Sequence, residues 1–134
     1  MYKRQIISCR SYNKITKFDK LTGVITAQAG TTLCEILNNV VPHGWFLGVS
    51  PGTKYTTLGG AIASDVHGKN HHLNGCFSQY LSEFELMLHD GSVVTIRRED
   101  ELFKATCGGM GLAISFAISP FAPTINIEGF IFLF

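Results

Sequence analysis

The sequence predicts an α+β domain with a mostly antiparallel sheet flanked by helices, and three observations predict it. Two segments alternate apolar and polar residues on either side of a tight turn, which is the pattern of a β-hairpin. One segment carries a helix-capping signature followed by an apolar face at helical spacing. The third observation is negative: strand–helix–strand alternation and a G-x-G-x-x-G run after a strand are both missing, which excludes a Rossmann sheet.

The elements follow in order. "KITKFDKLTGVITAQAG" places Ile15 and Phe18 before the turn "DKLTG". After it, Ile25, Ala27 and Ala29 alternate with Val24, Thr26 and Gln28, so the first hairpin has one buried face. In "TTLCEILNNVVPHG", Thr32 and Glu35 form a capping box, and Leu33, Ile36, Leu37 and Val40 line one helix face. Pro42 and Gly44 end that helix. "WFLGVSPGT" reads as a short strand running into a glycine turn, and "TTLGGAIAS" as a helix weakened by its glycines. "LSEFELMLHDGSVVTIR" is a second hairpin about a two-residue turn, Asp90-Gly91. "REDELFKATCGG" is a short acid-started helix ended by glycines, and "GLAISFAIS" a last apolar strand.

Composition narrows the function. Nearly half of the 134 residues are apolar and 16% are charged, enough for a buried core. A net charge of +1 gives no footprint for nucleic acid or an acidic membrane surface. The four cysteines, Cys9, Cys34, Cys76 and Cys107, form no CxxC pair and read as reduced, mostly buried small hydrophobes. No apolar run reaches the roughly 18 residues that span a bilayer, and no signal peptide is visible. The expected location is the cytoplasm or the periphery of a membrane. Met1-Tyr2-Lys3-Arg4-Gln5 matches a sequencing adapter read through in frame, so residues 1–5 are expected to be an artefact. The last residues, "INIEGFIFLF", stop on an apolar stretch, and the chain reads as a fragment truncated at both ends.

Chemistry concentrates in "GGAIASDVHGKNHH", residues 59–72. His67 and His71 are spaced i, i+4, as imidazoles are on zinc-binding helices. Against a metal stand Gly68 and Asn70 between them, the missing acid beside His67, and the positive charge of Lys69. A solvated loop is the plain alternative. The third reading is an anionic or electron-rich ligand. "PGT" at 51–53 and "TLGG" at 57–60 would offer unpaired backbone N–H groups near a helix start, with His67 and Lys69 on the loop that follows.

The stretch "GWFLGVSPGTKYTTLGGAIASDVHGKNHHLNGCF" resembles the FAD-binding (PCMH-type) domain of the vanillyl-alcohol oxidase / p-cresol methylhydroxylase superfamily. "DGS" and "ELFKATCGGMGL" follow in that family's order. Within the superfamily the chain is most similar to the decaprenylphosphoryl-β-D-ribose 2'-oxidases. The resemblance implies an FAD-dependent oxidoreductase acting on CH–OH groups, which moves a hydride from a sugar hydroxyl carbon to flavin N5. FAD would be held noncovalently. Gly52, Thr57, Leu58, Gly59, Gly60, Ser64, Asp65, Val66 and His67 would meet the cofactor, and His67 and Lys69 would face the substrate as catalytic residues. No metal is implied. The substrate would be a small or lipid-linked sugar, such as a bacterial cell-wall arabinan precursor, with a partner reductase completing an epimerisation. Sugar-lactone and alditol oxidases of the same superfamily are the alternative, although they carry "THGS"-like residues where this chain has "VHGKNHH". A non-functional truncated remnant is a third possibility. Two departures stand out: Ile114 occupies the place of a flavin-side glycine, and no match continues beyond about Ser119. Residues 6–118 are therefore expected to be a partial FAD-binding domain. Residues 119–134 are an unmatched tail, either frameshifted or the start of a substrate domain.

Overall fold

A computed structural model describes residues 9–88, 90–110, 124–127 and 131–132. Strands β1 (Ile15–Phe18), β2 (Ile25–Gln28), β4 (Leu81–Met87), β5 (Val93–Arg97) and β6 (Thr124–Ile127) form one sheet in the order β1-β2-β6-β4-β5. Strands β3 (Trp45–Phe46) and β7 (Ile131–Phe132) pair separately. Every pairing is antiparallel. Helices α1 (Leu33–Val40), α2 (Leu58–Ala63), α3 (His71–Asn74) and α4 (Glu101–Thr106) complete the described elements, with 3-10 turns at Val41–His43 and Phe77–Tyr80. The α+β expectation holds.

One core joins sheet and helices. Ile25 and Ala27 of β2 and Ile127 of β6 are buried with Leu33 and Ile36 of α1 and Leu58 and Ile62 of α2. On β4 the strict alternation breaks, since Leu81 and Phe84 are both buried though three residues apart. A register shift between Leu81 and Glu83 explains it, because a bulge resets which face the following residues occupy. Phe84 then meets Phe103 of α4 with ring centroids 5.2 Å apart, which ties the last described helix to the sheet.

Local chemistry sets the turns. In the first hairpin Gly23 has φ +73, and a Cβ there would lie 2.7 Å from the Trp45 ring. Only glycine fits both constraints. Trp45 Nε1–H also donates to the Lys20 carbonyl at 3.0 Å, so the turn is braced against β3. The second hairpin differs from the two-residue turn expected. Leu88 N–H donates to the Ser92 carbonyl and Gly91 N–H to the Leu88 carbonyl, leaving three positions in the loop. Gly91 takes φ +85 there, as the left-handed residue of a three-residue hairpin does.

The capping box at α1 is complete. Glu35 N–H donates to Thr32 Oγ1 at 3.2 Å, and Thr32 N–H donates back to the Glu35 carboxylate at 2.7 Å. The Thr32 amide, and then its hydroxyl, hold the Glu35 carboxyl below the ordinary glutamate range. A lowered folded-state pKa stabilises above the unfolded value and loses that contribution as pH falls through the folded one. Glu35→Ala is therefore expected to cost about 1 kcal/mol at neutral pH. The gap from wild type should close in the acid limb below pH 4.5, the ordinary value of the group. Urea unfolding of both proteins across that range checks it, and a gap that persisted unchanged in acid would rule out the carboxylate as its source.

The strand expected at "GLAISFAIS" and the position of Ile114 lie outside the described residues. A strand that the sequence pattern did not reveal, β6, occupies the middle of the sheet between β2 and β4.

Candidate functional site

The starts of α1 and α2 lie back to back and satisfy each other. Leu33 and Cys34 N–H groups donate to the carbonyls of Thr56 and Lys54, and Leu58 N–H donates to Thr31. Gly59 N–H goes to Ala29, Gly60 N–H to the Thr57 hydroxyl at 3.2 Å, and Ala61 N–H to the Thr57 carbonyl. This corrects the sequence reading of "TLGG" as a set of unpaired donors. Isolated helix starts leave such donors free, but here Thr31 and Ala29, remote in sequence, take those of Leu58 and Gly59, and Thr57 takes those of Gly60 and Ala61. An anion would have nothing to accept from at Leu58–Ala61.

Two clefts divide the residues singled out by sequence. The larger, about 800 Å³, is lined by Phe46, Gly48, Ser50 and Gly52 of one segment and by His67, Gly68, Lys69, Asn70 and His71 of another. The smaller, about 320 Å³, is floored by Ala29, Thr57, Gly59, Gly60, Ala63 and Ser64, with Cys9 and Met110 at its side. Its small side chains create its volume. Leu58 lines neither, being fully buried in the core. Val66 packs against that core. Asp65 turns its carboxylate inward, where it accepts from Ser78 N–H at 2.8 Å and Ser78 Oγ at 3.1 Å. Leu58, Asp65 and Val66 thus each carry a structural duty in the domain.

Those duties aim His67 at the cleft. Asp65 is a non-glycine residue at φ +40, a conformation aspartate tolerates better than most, and its two bonds to Ser78 hold it there. The turn sends the chain away from α2 into an extended pair, with Phe77 N–H donating to the Val66 carbonyl and His67 bridged to Cys76. The last carbonyls of α2 are closed by the loop after α4, through Gly108 N–H to Ile62 and Met110 N–H to Ala63. His67 and His71 face each other with ring centroids 5.2 Å apart, and His71 continues to His72 at 5.9 Å. Asn70 and Ser50 belong to the cleft although sequence reasoning assigned them no role, and so does His71, which the sequence offered only as a metal ligand. The repeated histidines of "HGKNHH" were the available signal.

Electrostatically the larger cleft is one-sided. Its lining holds two imidazoles and an ammonium and no carboxylate, so it favours an electron-rich or anionic occupant. Among the described residues no group of three or more His, Cys, Asp or Glu could hold a metal. The four cysteines are free and partly exposed, less buried than expected. Burial, and then the neighbouring Asp65, push the Cys107 thiol up to about 12, which keeps it protonated and unreactive at neutral pH.

The architecture is that of an antiparallel α+β cofactor-binding domain. A family model described as an FAD binding domain matches residues 2–97, and the chain belongs to that family. It is 37% identical over 110 residues to the decaprenylphosphoryl-β-D-ribose oxidase of Mycolicibacterium smegmatis, covering 80% of this chain and 24% of that protein. It is 40% identical over 103 residues to an uncharacterized protein in the mprA 5' region of Streptomyces coelicolor, covering 73% of this chain and 28% of that one. The chain therefore spans about a quarter of the length of these relatives. Among solved structures, an alkyldihydroxyacetonephosphate synthase superposes with a TM-score of 0.67 at 21% identity, covering 89% of this chain and 21% of that chain, which shows the shared fold. The resemblance read from "GGAIASDVHGKNHH" is borne out, and FAD is the cofactor of the family.

The residues present fit that group. A methyl on Gly52 would meet nothing within 4 Å, and Gly52 does not adopt a left-handed conformation. The chain itself has no need of glycine there, so its bare main chain is open to the approach of a flat group. A volume of about 800 Å³ is of the size that cofactor clefts have. No helix among the described residues is long and apolar enough to cross a membrane.

Proposed function

We propose that this chain is the cofactor-binding part of an FAD-dependent oxidoreductase that oxidises a hydroxyl carbon of a lipid-linked pentose to a ketone. The observation that carries it is the larger cleft, which brings the bare main chain of Gly52 together with His67, Lys69 and His71. When bound, FAD supplies a hydride acceptor at N5.

The protein's own residues do the rest. Gly52 would let the ring system lie against the main chain, and the small floor of Gly59, Gly60 and Ser64 would take a second portion of the cofactor by close packing. His67 would polarise or deprotonate the substrate hydroxyl as the carbon loses its hydride. Lys69 would hold a fixed positive charge where negative charge accumulates during that transfer. On this reading the ketone passes to a separate reductase that completes an epimerisation.

Lys69 and the His71-His72 pair, in place of "THGS"-like residues, favour a phosphorylated lipid-linked sugar over a free sugar lactone. Turnover of both substrates by the full-length protein tests the choice. Faster oxidation of the lipid-linked pentose is expected; oxidation of the lactone alone would place the protein with the aldonolactone oxidases.

A further inference from the structure

We propose that Asn70 is a positioning residue whose side-chain amide fixes the loop of His67, Lys69 and His71 against the segment of Gly48 and Ser50 that lines the same cleft. The inference rests on the functional reading above. Asn70 Nδ2–H donates to the Gly48 carbonyl at 3.2 Å, across 22 positions of sequence. Both residues line the larger cleft, so the bond ties together two of the chain segments that form it. A carbonyl can only accept, which makes the NH2 end of the amide the one that serves.

Gly68 supplies the second half of the clamp. A Cβ at Gly68 would lie 2.7 Å from Asn70 Oδ1 and 2.7 Å from the Ser50 carbonyl oxygen. The bare Cα therefore lets the loop close onto Ser50 and makes room for the amide that reaches Gly48. Within the loop, His71 N–H donates to the Gly68 carbonyl at 3.1 Å. Displacing Gly68 or Asn70 thus displaces the two imidazoles and the ammonium together. The two segments meet through these contacts, and catalysis depends steeply on such distances: a misplacement of about 1 Å costs on the order of 100-fold.

The test uses the full-length flavoprotein with Asn70→Ala, with Asn70→Asp, which keeps the size but offers Gly48 no donor, and with Gly68→Ala. Flavin content and Tm should stay near wild type in both Asn70 variants, whereas Gly68→Ala should also lower Tm, because its Cβ would meet the Ser50 carbonyl. Flavin reduction by substrate should slow on the order of 10- to 100-fold, mainly in kcat and little in KM. The Gly68→Ala/Asn70→Ala double variant should be no slower than the worse single one, because both act on one contact. By NMR, the ring resonances of His67 and His71 should move in every variant, and those of His43, on the 3-10 turn after α1, should not. Wild-type rates with unmoved His67 and His71 resonances would overturn the proposal, as would loss of flavin or of the fold in both Asn70 variants. If wild type itself reduces no flavin with any sugar, the functional reading fails, and the resonances still decide the clamp.

Discussion

His67→Ala in the full-length flavoprotein is expected to lower turnover by roughly 10²–10⁴-fold, the range typical of losing a general acid–base or polarising group. The backbone at this position should not move. The His67–Cys76 bridge and the bond from Phe77 N–H to the Val66 carbonyl hold it without help from the ring. Gly52, where the cofactor is proposed to approach the main chain, belongs to another segment of the cleft lining, so bound flavin should fall far less than rate. Flavin absorbance per protein and steady-state turnover, measured on one preparation, separate the two effects. Full activity with lost FAD would assign His67 to cofactor binding alone.

Lys69→Met should slow flavin reduction on the order of 10²–10³-fold, as removal of one preorganised charge from a developing anion does. No carboxylate lines the larger cleft to offset the ammonium, so its field acts on the ligand undiminished by a neighbouring counter-charge. A charge that is fixed beforehand stabilises the transition state more than the oxidised ground state, and only that difference raises kcat. Methionine keeps the length of the side chain and removes the charge. Lys69→Arg should recover only part of the rate, because a planar fork cannot present its charge as a point. Stopped-flow reduction at the wild-type rate in the methionine variant would remove Lys69 from the chemistry.

Much of this fold was legible in the sequence because it rests on local rules. Thr32 and Glu35 announced α1 through a bond pattern that spans three residues, and Ile25, Ala27 and Ala29 announced the buried face of β2 through strict alternation. Where the reading failed, the cause was long range. The N–H groups of Leu58 and Gly59 looked free because their acceptors, Thr31 and Ala29, lie nearly 30 positions upstream. The Asp90-Gly91 turn looked like a two-residue loop because sequence does not reveal that Leu88 pairs with Ser92. Strand β6 was missed because "TINI" is four residues long, and its place in the sheet comes entirely from its neighbours.

The site was legible as a motif and not as a shape. "HGKNHH" placed His67 and Lys69 in one short loop, and the structure brings both to the larger cleft with Gly52. The same motif run placed Asp65 among the cofactor residues but gave no sign that its carboxylate holds Ser78. A one-dimensional pattern reports which residues occur near a ligand; it does not separate those that touch it from those that aim the others.

The most direct measurement of the central claim is the flavin occupancy of the purified full-length protein beside its Gly52→Val variant. Valine at this position meets open space and an ordinary backbone conformation, so the variant should fold with the Tm of the apoprotein. If the larger cleft holds the cofactor, wild type will carry flavin absorbance and the valine variant will lose at least about tenfold in affinity, since a branched side chain would stand where the ring system must approach the main chain. Undiminished flavin occupancy in Gly52→Val would contradict the account, because the cofactor would then lie elsewhere.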